Sequence, residues 1–240
     1  MTLNHIESAN FRLPRRCAQC SVRHKAMCSA IDQDRVDVLD TIMSHTQIRA
    51  GQSIFEEGDS ARHVYNVSRG YVRLFKLLPD GRRQITGFLA PGDFLGLAAR
   101  KTYAYSAEAI TDTDLCRFKA SDLEALFEEM PAVRERLFEI ANDELAAAQE
   151  QMLCLGRKTA KEKVASFLIA QLRHGAGCGD KGATFDLPMS RSDIADYLGL
   201  TIETVSRTFT ALREEGLIEL PTTHRVSIPE IDALEAVTES

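Results

Sequence analysis

Residues 48–118 alternate short runs of β-branched and aromatic residues with glycines, a rhythm typical of antiparallel strands joined by turns. The pattern predicts strands at residues 53–55, 63–68, 71–78, 83–89 and 105–118. Pro79, Asp80 and Gly81 predict a hairpin turn between the third and fourth of these strands. Strands of this length and spacing favour a small β-roll or barrel.

Beyond residue 120 the apolar period changes from that of a strand to that of a helix. Ser121 followed by Glu124 predicts a capping box that opens a short helix, and Pro131 suits the first turn of a longer helix that ends near residue 155. The apolar stripe of the longer helix recurs at spacings of three to five: Val133, Leu137, Ile140, Leu145, Ala148, Met152 and Leu155. We expect this seam to pack against a second copy of the chain, with packing against the chain's own β-domain as the alternative.

Two further helix starts lie near the C-terminus. Ser190 and Asp193 form a capping-box pattern, Gly199 suits the end of the helix that follows, and Thr201 suits the cap of a second helix. The small Ala195, the turn glycine and Val205 have the spacing that a helix-turn-helix requires. Residues 216–220 and 225–228 then predict two strands around a turn, so the whole region is interpreted as a winged helix-turn-helix.

The second helix of this motif has two different sides. Its predicted packing side is apolar: Ile202, Val205, Phe209 and Leu212. Its other side carries Glu203, Ser206, Arg207 and Thr210. Arg207 can donate two hydrogen bonds to guanine, Glu203 can accept one from cytosine N4, and Ser206 can serve a base or a phosphate. We therefore expect this side to read DNA in the major groove.

Composition and charge limit the classes of protein that remain. The chain has 240 residues, with 44% hydrophobic and 27% charged, which is typical of a globular protein. Its net charge of -6 requires any DNA binding to depend on a local surface. No apolar run approaches the roughly 20 residues that a membrane span needs, and no apolar signal segment follows Met1. We expect a cytoplasmic protein that has no membrane partner.

Three cysteines near the N-terminus, Cys17, Cys20 and Cys28, lie close together in the sequence. The spacing allows thiolates to converge on one metal ion or cluster, and the surrounding cationic residues favour ionised sulfur. Those cations are Arg15, Arg16, Arg23, His24 and Lys25. A disulfide framework is disfavoured because nothing predicts secretion. The spacing leaves zinc and iron-sulfur as alternatives, and the fourth ligand must come from elsewhere.

The cysteine-rich N-terminus, the glycine-punctuated β-roll, the long helix and the string Leu-Thr-Ile-Glu-Thr-Val-Ser-Arg at residues 200–207 together resemble the FNR/FixK-type branch of the CRP/FNR transcription regulators. The resemblance covers nearly the whole chain. It implies an α+β fold with an N-terminal β-roll of the cyclic-nucleotide-binding jelly-roll type, a long dimerisation helix and a C-terminal winged helix-turn-helix. The corresponding segments are 1–30 for cluster binding, 31–129 for the β-roll, 130–156 for dimerisation and 157–240 for DNA binding.

The resemblance also implies a cofactor. Oxygen sensors of this family hold a [4Fe-4S] cluster with three N-terminal cysteines and one from the β-domain, a position that Cys116 matches, so the implied ligands are Cys17, Cys20, Cys28 and Cys116. The gap between Cys20 and Cys28 is longer than in some relatives, and His24 is the rival fourth ligand, in a zinc site of the Cys3His type. We interpret Cys154 as a packed residue and Cys178 as a spare thiol.

The implied function is that of an anaerobic, oxygen-responsive transcription regulator, not an enzyme. The family's Glu-x-x-Ser-Arg signature reads half-sites of the TTGAT type and matches Glu203, Ser206 and Arg207. The implied assembly is a homodimer on a palindromic DNA site, with RNA polymerase as a further partner. The cluster would favour the dimer.

Two other classes are weighed beside this one. Cyclic-nucleotide sensors of the family carry a glutamate and an arginine-serine pair in the phosphate-binding turn, whereas here Tyr105 precedes Ser106. A nucleotide phosphate would be buried unpaired, so we expect no cyclic nucleotide. The alternative regulator is a cyclic-nucleotide or zinc-stabilised member without oxygen sensing. A small redox enzyme is disfavoured because the sequence has no second cofactor motif and no nucleophile-base constellation.

Overall fold

The computed structural model describes residues 17–96, 101–175 and 182–238. It begins with two short 3₁₀ helices, Cys17–Gln19 and Met27–Ala30, followed by helix α1 at Asp37–Ile42. The β-domain then consists of β1 Met43–Ile48, β2 Ser53–Phe55, β3 His63–Arg69, β4 Val72–Leu77, β5 Arg83–Leu89, β6 Phe94–Leu95, β7 Ser106–Ala109 and β8 Thr113–Lys119.

These eight strands form two antiparallel four-stranded sheets, which confirms the predicted β-roll. The strand order is β1-β8-β3-β6 in one sheet and β2-β7-β4-β5 in the other. Their inner faces bury Val67, Val72, Leu95 and Leu115 in one apolar core. The hairpin predicted at Gly81 joins β4 to β5, and this glycine has a φ of 86°, which a side chain would disfavour.

The single strand predicted at residues 105–118 is wrong, because the chain turns between β7 and β8. The hydroxyl of Thr113 donates to the carbonyl of Thr111 at 2.8 Å, and the hydroxyl of Thr111 accepts the backbone N–H of Tyr71 at 3.0 Å. Threonine side chains that satisfy nearby backbone groups support such turns. The sequence pattern did not predict β1 or β6.

Helix α2, Ala120–Glu129, leads into the long helix α3, Pro131–Arg157. Pro131 occupies the first turn of α3, as predicted. The capping box predicted at Ser121 is wrong: the N-cap of α2 is Lys119, two residues earlier, and its side chain makes no capping hydrogen bond. The Ser121 hydroxyl instead donates to the carboxylate of Asp122 at 3.2 Å.

The apolar side chains of α3 fall into a buried group and an exposed group. Val133 and Leu137 are buried against the chain's own β-domain and N-terminal segment, so the alternative interpretation holds for this part of the helix. Every residue from 141 to 150 is exposed. Phe138, Leu145 and Met152 are 68%, 56% and 65% exposed and recur at a spacing of seven. The structure thus leaves an uncovered apolar seam of coiled-coil period.

The C-terminal domain consists of α4 Ala160–Gly175, β9 Ala183–Asp186, α5 Arg191–Leu198, α6 Ile202–Glu214, β10 Glu219–Thr222, β11 Arg225–Ile228 and α7 Ile231–Thr238. Its sheet has the order β10-β11-β9, so the predicted two-stranded wing gains a third strand. Helices α5 and α6 confirm the predicted helix-turn-helix. Among the described residues, no helix is both long and apolar enough to span a membrane.

Caps define both helices of this motif. The Ser190 hydroxyl accepts the backbone N–H of Asp193 at 3.1 Å, and the Asp193 carboxylate accepts the backbone N–H of Ser190 at 3.1 Å, which completes the predicted capping box of α5. Gly199 ends α5 with a φ of 63°, a left-handed conformation that favours glycine. The Thr201 hydroxyl caps α6 by accepting the N–H of Thr204 at 3.2 Å.

Replacing Ser190 with alanine should lower the free energy of unfolding by about 1 kcal/mol, because α5 loses its side-chain cap. Urea unfolding followed by far-ultraviolet circular dichroism measures the change. Ser121→Ala is the matched control and should have almost no effect, since this serine caps no helix. Equal losses in the two variants would contradict the assignment of the α5 cap.

Candidate DNA-binding surface and cysteine cluster

Helix α6 presents the predicted reading residues to solvent. Glu203, Ser206 and Arg207 are all exposed, while Val205 and Phe209 on the opposite side are completely or almost completely buried. A hydrogen bond from its own backbone N–H, then the Thr201 hydroxyl and the charge of Arg207, lower the pKa of Glu203. Glu203 is therefore an ionised acceptor beside a cationic donor, and the two can read cytosine and guanine edges respectively.

Ile202 departs from the predicted packing side. It lies at the first position of α6 and is 48% exposed, next to Glu203. Burial of Val205, Phe209 and Leu212 is sufficient to anchor the helix, so Ile202 belongs to the surface that faces away from the core. An exposed aliphatic side chain at the start of a recognition helix can contact the methyl group of thymine.

Two cationic residues that the sequence analysis did not identify stabilise the helix-turn-helix on the side opposite the reading residues. The Arg191 guanidinium lies over the Phe209 ring, 3.4 Å from its centroid. Lys163, on α4, is buried and donates to the carbonyl of Leu198 at 3.2 Å, at the end of α5. These contacts stabilise the positions of α5 and α6. Nothing in the local sequence pattern distinguishes them from solvated charges.

The four predicted cysteine ligands lie in the same region of the structure, around the apolar cluster that joins the N-terminal segment to β8. Cys17 and Cys28 are buried in the first and second 3₁₀ helices, Cys20 lies half-buried between them, and Cys116 lies half-buried on β8. Cys17 and Cys28 belong to the same apolar cluster as Phe118, against which Cys116 packs.

The thiols of this cysteine cluster interact electrostatically. Burial, followed by a hydrogen bond with Asp40 and by the charges of Asp40, Cys116 and Cys28, raises the pKa of Cys17 to about 12. Burial and the charges of Cys20 and Cys28 raise the pKa of Cys116 to about 12. Burial and Cys20 raise the pKa of Cys28 to about 11, against a smaller lowering by Arg23. At neutral pH Cys17, Cys28 and Cys116 are therefore neutral thiols.

The other candidate ligands differ in position. His24 is exposed, whereas Cys17 and Cys28 are buried. Cys154 is buried in a different apolar cluster, formed mainly by the C-terminal domain, and Cys178 lies outside the described residues. Within residues 17–96, 101–175 and 182–238, no three His, Cys, Asp or Glu side chains are arranged so that they could hold a metal ion.

Residues 17–30, here called the cysteine segment, pack directly against α3. Met27 is completely buried in the cluster that contains Val133 and Leu137. The guanidinium of Arg136 donates to the carbonyl of Lys25 at 3.2 Å and to the carboxylate of Glu139 at 2.9 Å. A change in the order of this segment would therefore act on the N-terminal part of α3.

Aromatic side chains form part of the buried interior of the β-roll. The rings of Phe55 and Tyr103 stack with centroids 3.7 Å apart and planes inclined by 15°. The Ser106 hydroxyl donates to the Glu56 carboxylate at 3.2 Å and accepts the backbone N–H of Glu57 at 2.9 Å. The serine that would follow the phosphate-binding arginine in a nucleotide sensor is thus held beside a carboxylate, which repels phosphate.

Comparison with known proteins identifies the family. The cyclic nucleotide-binding domain matches residues 45–130, and the Crp-like helix-turn-helix domain matches residues 162–237. The transcriptional activator protein FnrL of Cereibacter sphaeroides is 41% identical over 224 residues, which cover 92% of this chain and 89% of that protein. The chain belongs to the CRP/FNR family of transcription regulators. This CRP/FNR regulator is therefore not an enzyme, and the redox-enzyme alternative is set aside.

Other CRP/FNR proteins support the same grouping. The nitrogen fixation regulation protein FixK of Bradyrhizobium diazoefficiens is 43% identical over 204 residues, covering 85% of this chain and 86% of its own. The structure of FixK2 from Bradyrhizobium japonicum has a TM-score of 0.76 at 39% identity and covers 82% of this chain and 97% of that chain. This regulator is thus close to the FnrL and FixK type of the CRP/FNR family.

Ile202→Ala should weaken binding to a thymine-containing half-site by about 1 kcal/mol or more, because an apolar contact with a thymine methyl group is lost. Fluorescence anisotropy titration measures the affinity. Replacing each half-site thymine in turn by uracil removes one methyl group at a time. Wild-type protein should discriminate thymine from uracil at one position, and Ile202→Ala should not. Leu78→Ala, at an exposed leucine on the β4–β5 hairpin, is the control. An unchanged thymine preference in Ile202→Ala would contradict the contact.

Proposed function

We propose that this protein is an oxygen-responsive activator of transcription that binds a TTGAT-type palindrome as a homodimer. In this proposal Cys17, Cys20, Cys28 and Cys116 hold a [4Fe-4S] cluster whose presence favours the dimer. The observation that carries the proposal is the position of Cys116, on β8, which packs against the apolar cluster that contains Cys17 and Cys28, with Cys20 near enough to raise the pKa values of Cys28 and Cys116. The names of two relatives, the transcriptional activator protein FnrL and the nitrogen fixation regulation protein FixK, support a role in activating transcription.

The chemistry of these thiols fits such a group. Neighbouring thiolates in an apolar setting repel one another, and a cationic metal cluster relieves this repulsion. Four cysteine sulfurs are the ordinary ligand set of an iron-sulfur cluster. When bound, the cluster would supply an oxygen-labile link between the N-terminal segment and the β-domain. Because no described side chains have metal-ligating geometry, the cysteine segment would have to close further onto Cys116.

The coupling to α3 supports the proposed effect on dimerisation. Residues of the cysteine segment share one apolar cluster with Val133 and Leu137, whereas the seam formed by Phe138, Leu145 and Met152 lies uncovered just beyond. Burial of this seam against a second copy would stabilise the dimer. The exposed acidic residues of the same helix would oppose it through like-charge repulsion: Glu135, Glu139, Asp143, Glu144 and Glu150.

DNA recognition is assigned to Glu203, Ser206 and Arg207, with Ile202 beside them. These residues are exposed on one helix, and their donors and acceptors match base edges of the major groove. A dimer would present two such helices to two half-sites one DNA turn apart. RNA polymerase is the partner that an activator of this family requires.

Two alternatives within the family are less well supported. A Cys3His zinc site would need His24, which is exposed, whereas Cys17 and Cys28 are buried. Cyclic-nucleotide binding would place a phosphate near Ser106, whose hydroxyl donates to the Glu56 carboxylate, and this carboxylate would repel the phosphate. We therefore infer that the β-roll acts as a scaffold for the cysteine segment and not as a nucleotide sensor.

Cys116→Ser should abolish assembly of the cluster, because serine keeps the shape of the side chain but is a poor ligand for iron. Wild-type protein purified without oxygen should contain about four iron atoms per chain and a broad visible absorption band that decays in air. The variant should lack both and should bind the palindrome weakly. Cys154→Ser is the control and should retain the wild-type spectrum. A colourless wild-type protein that contains zinc would contradict the proposal while leaving DNA binding intact.

Leu145→Glu should convert the dimer to a monomer, since it adds a charge to the centre of the exposed seam of α3. Sedimentation velocity under anaerobic conditions measures the assembly state, and circular dichroism checks that the variant is folded. Leu77→Glu is the matched control because Leu77 is similarly exposed, at 59%, but lies on the β4–β5 hairpin. A Leu145→Glu protein that stays dimeric would exclude this seam as the interface.

A further inference from the structure

One carboxylate of the helix-turn-helix binds the β-roll. Asp193 is only 3% exposed and lies in the first turn of α5. Its Oδ2 accepts from the backbone and hydroxyl of Ser190, at 3.1 and 2.7 Å. Its Oδ1 accepts from Arg73 on β4 at 2.8 Å and from Arg83 on β5 at 2.9 Å. Asp193, which completes the capping box of α5, therefore also anchors α5 on the β-domain.

The contact continues along α5. The Nε of Arg83 donates to the carboxylate of Asp196 at 2.9 Å, one turn further along the helix. The Phe88 ring of β5 packs against the Tyr197 ring with centroids 5.2 Å apart. The other partner of Arg73 is Glu108 on β7. Strands β4 and β5 thus hold α5 by charge at its start and by aromatic packing near its end.

A second support comes from α3. The side-chain amide of Gln151 donates to the carbonyl of Tyr197 at 2.9 Å. Leu155 lies so close to the turn between α5 and α6 that a methyl group on Gly199 would be 3.5 Å from its side chain. Helix α5 is therefore fixed against both the β-roll and the last turns of α3.

We propose that Arg73 and Arg83 are positioning residues for DNA binding, which act through Asp193 and Asp196 to set the angle of the helix-turn-helix relative to α3. Charge-assisted pairs with little exposure to water hold a defined geometry. In a dimer built on α3, that angle determines the separation of the two recognition helices. The reading side of α6, including Glu203 and Arg207, stays exposed in this arrangement, so the contact holds a conformation that can bind DNA.

This inference rests on dimeric DNA binding and not on the cysteine cluster. It predicts that loss of the ion pairs relaxes the spacing requirement between half-sites, while recognition of the bases within each half-site stays the same. A role limited to stability would reduce the folded fraction and weaken binding to every DNA site alike. Spacing preference therefore separates positioning from stability.

The experiment compares wild-type protein with Arg73→Gln, Arg83→Gln, Asp196→Asn and the Arg83→Gln/Asp196→Asn double variant, all purified without oxygen. Affinities are measured for palindromes whose central spacer is correct, one base pair shorter or one base pair longer. Each single variant should lose preference for the correct spacer by about fivefold or more, and the double variant should lose no more than Arg83→Gln alone. Asp193 is left intact because it closes the capping box.

Arg82 and Asp80 supply the matched control. They form an ion pair at 2.8 Å on the tip of the same hairpin, and both are exposed. Arg82→Gln and Asp80→Asn make the same changes of charge and should keep the wild-type spacing preference.

Two results would overturn the inference: an unchanged spacing preference in the Arg73 and Arg83 variants, or an equal loss of affinity at all spacers. Wild-type protein that binds no palindrome would instead overturn the proposed function, and the positioning role with it.

Discussion

The relative placement of the cysteine segment and the DNA-binding domain depends on which parts of α3 are buried and which are exposed. Val133 and Leu137 pack with Met27 and Cys28 on the outer face of the β-roll, whereas residues 141–150 have no covering element in the described chain. Apolar packing fixes the start of the helix, and the uncovered seam requires a partner surface if its apolar area is to leave water. Since the last turns contact α5, a single helix joins the cysteine segment, the expected dimer interface and the DNA-binding domain.

Electrostatics have opposite roles at the two ends of this helix. Near the cysteine cluster, burial makes ionised sulfur unfavourable, so the thiols stay neutral until a cation compensates them. Near α5, two guanidinium groups compensate one buried carboxylate. A net charge of -6 is compatible with DNA binding because the acidic surface of α3 is separate from the reading side of α6.

Local sequence patterns correctly predicted the helix ends within the helix-turn-helix. Ser190, Gly199 and Thr201 mark helix ends through hydrogen bonds and backbone conformation within a few residues, and all three were confirmed. Ile202 was wrongly assigned because helical period alone does not reveal how far the packing neighbours extend. The ion pairs of Asp193 join residues more than 100 positions apart, so no local pattern contains them. The proximity of Cys116 to the N-terminal cysteines was expected from a family resemblance and not from spacing.

The neutral state of the thiols constrains how any cluster-based switch could operate. A cysteine with a raised pKa behaves as a small apolar residue, so the metal-free segment can keep its place in the apolar cluster without a charge penalty. Loss of a cluster would then change the geometry of the segment more than its burial. Such a change shifts the equilibrium between monomer and dimer strongly only if both forms are similarly populated beforehand. Apolar Phe138, Leu145 and Met152 beside acidic neighbours on the exposed part of α3 provide opposing contributions of this kind.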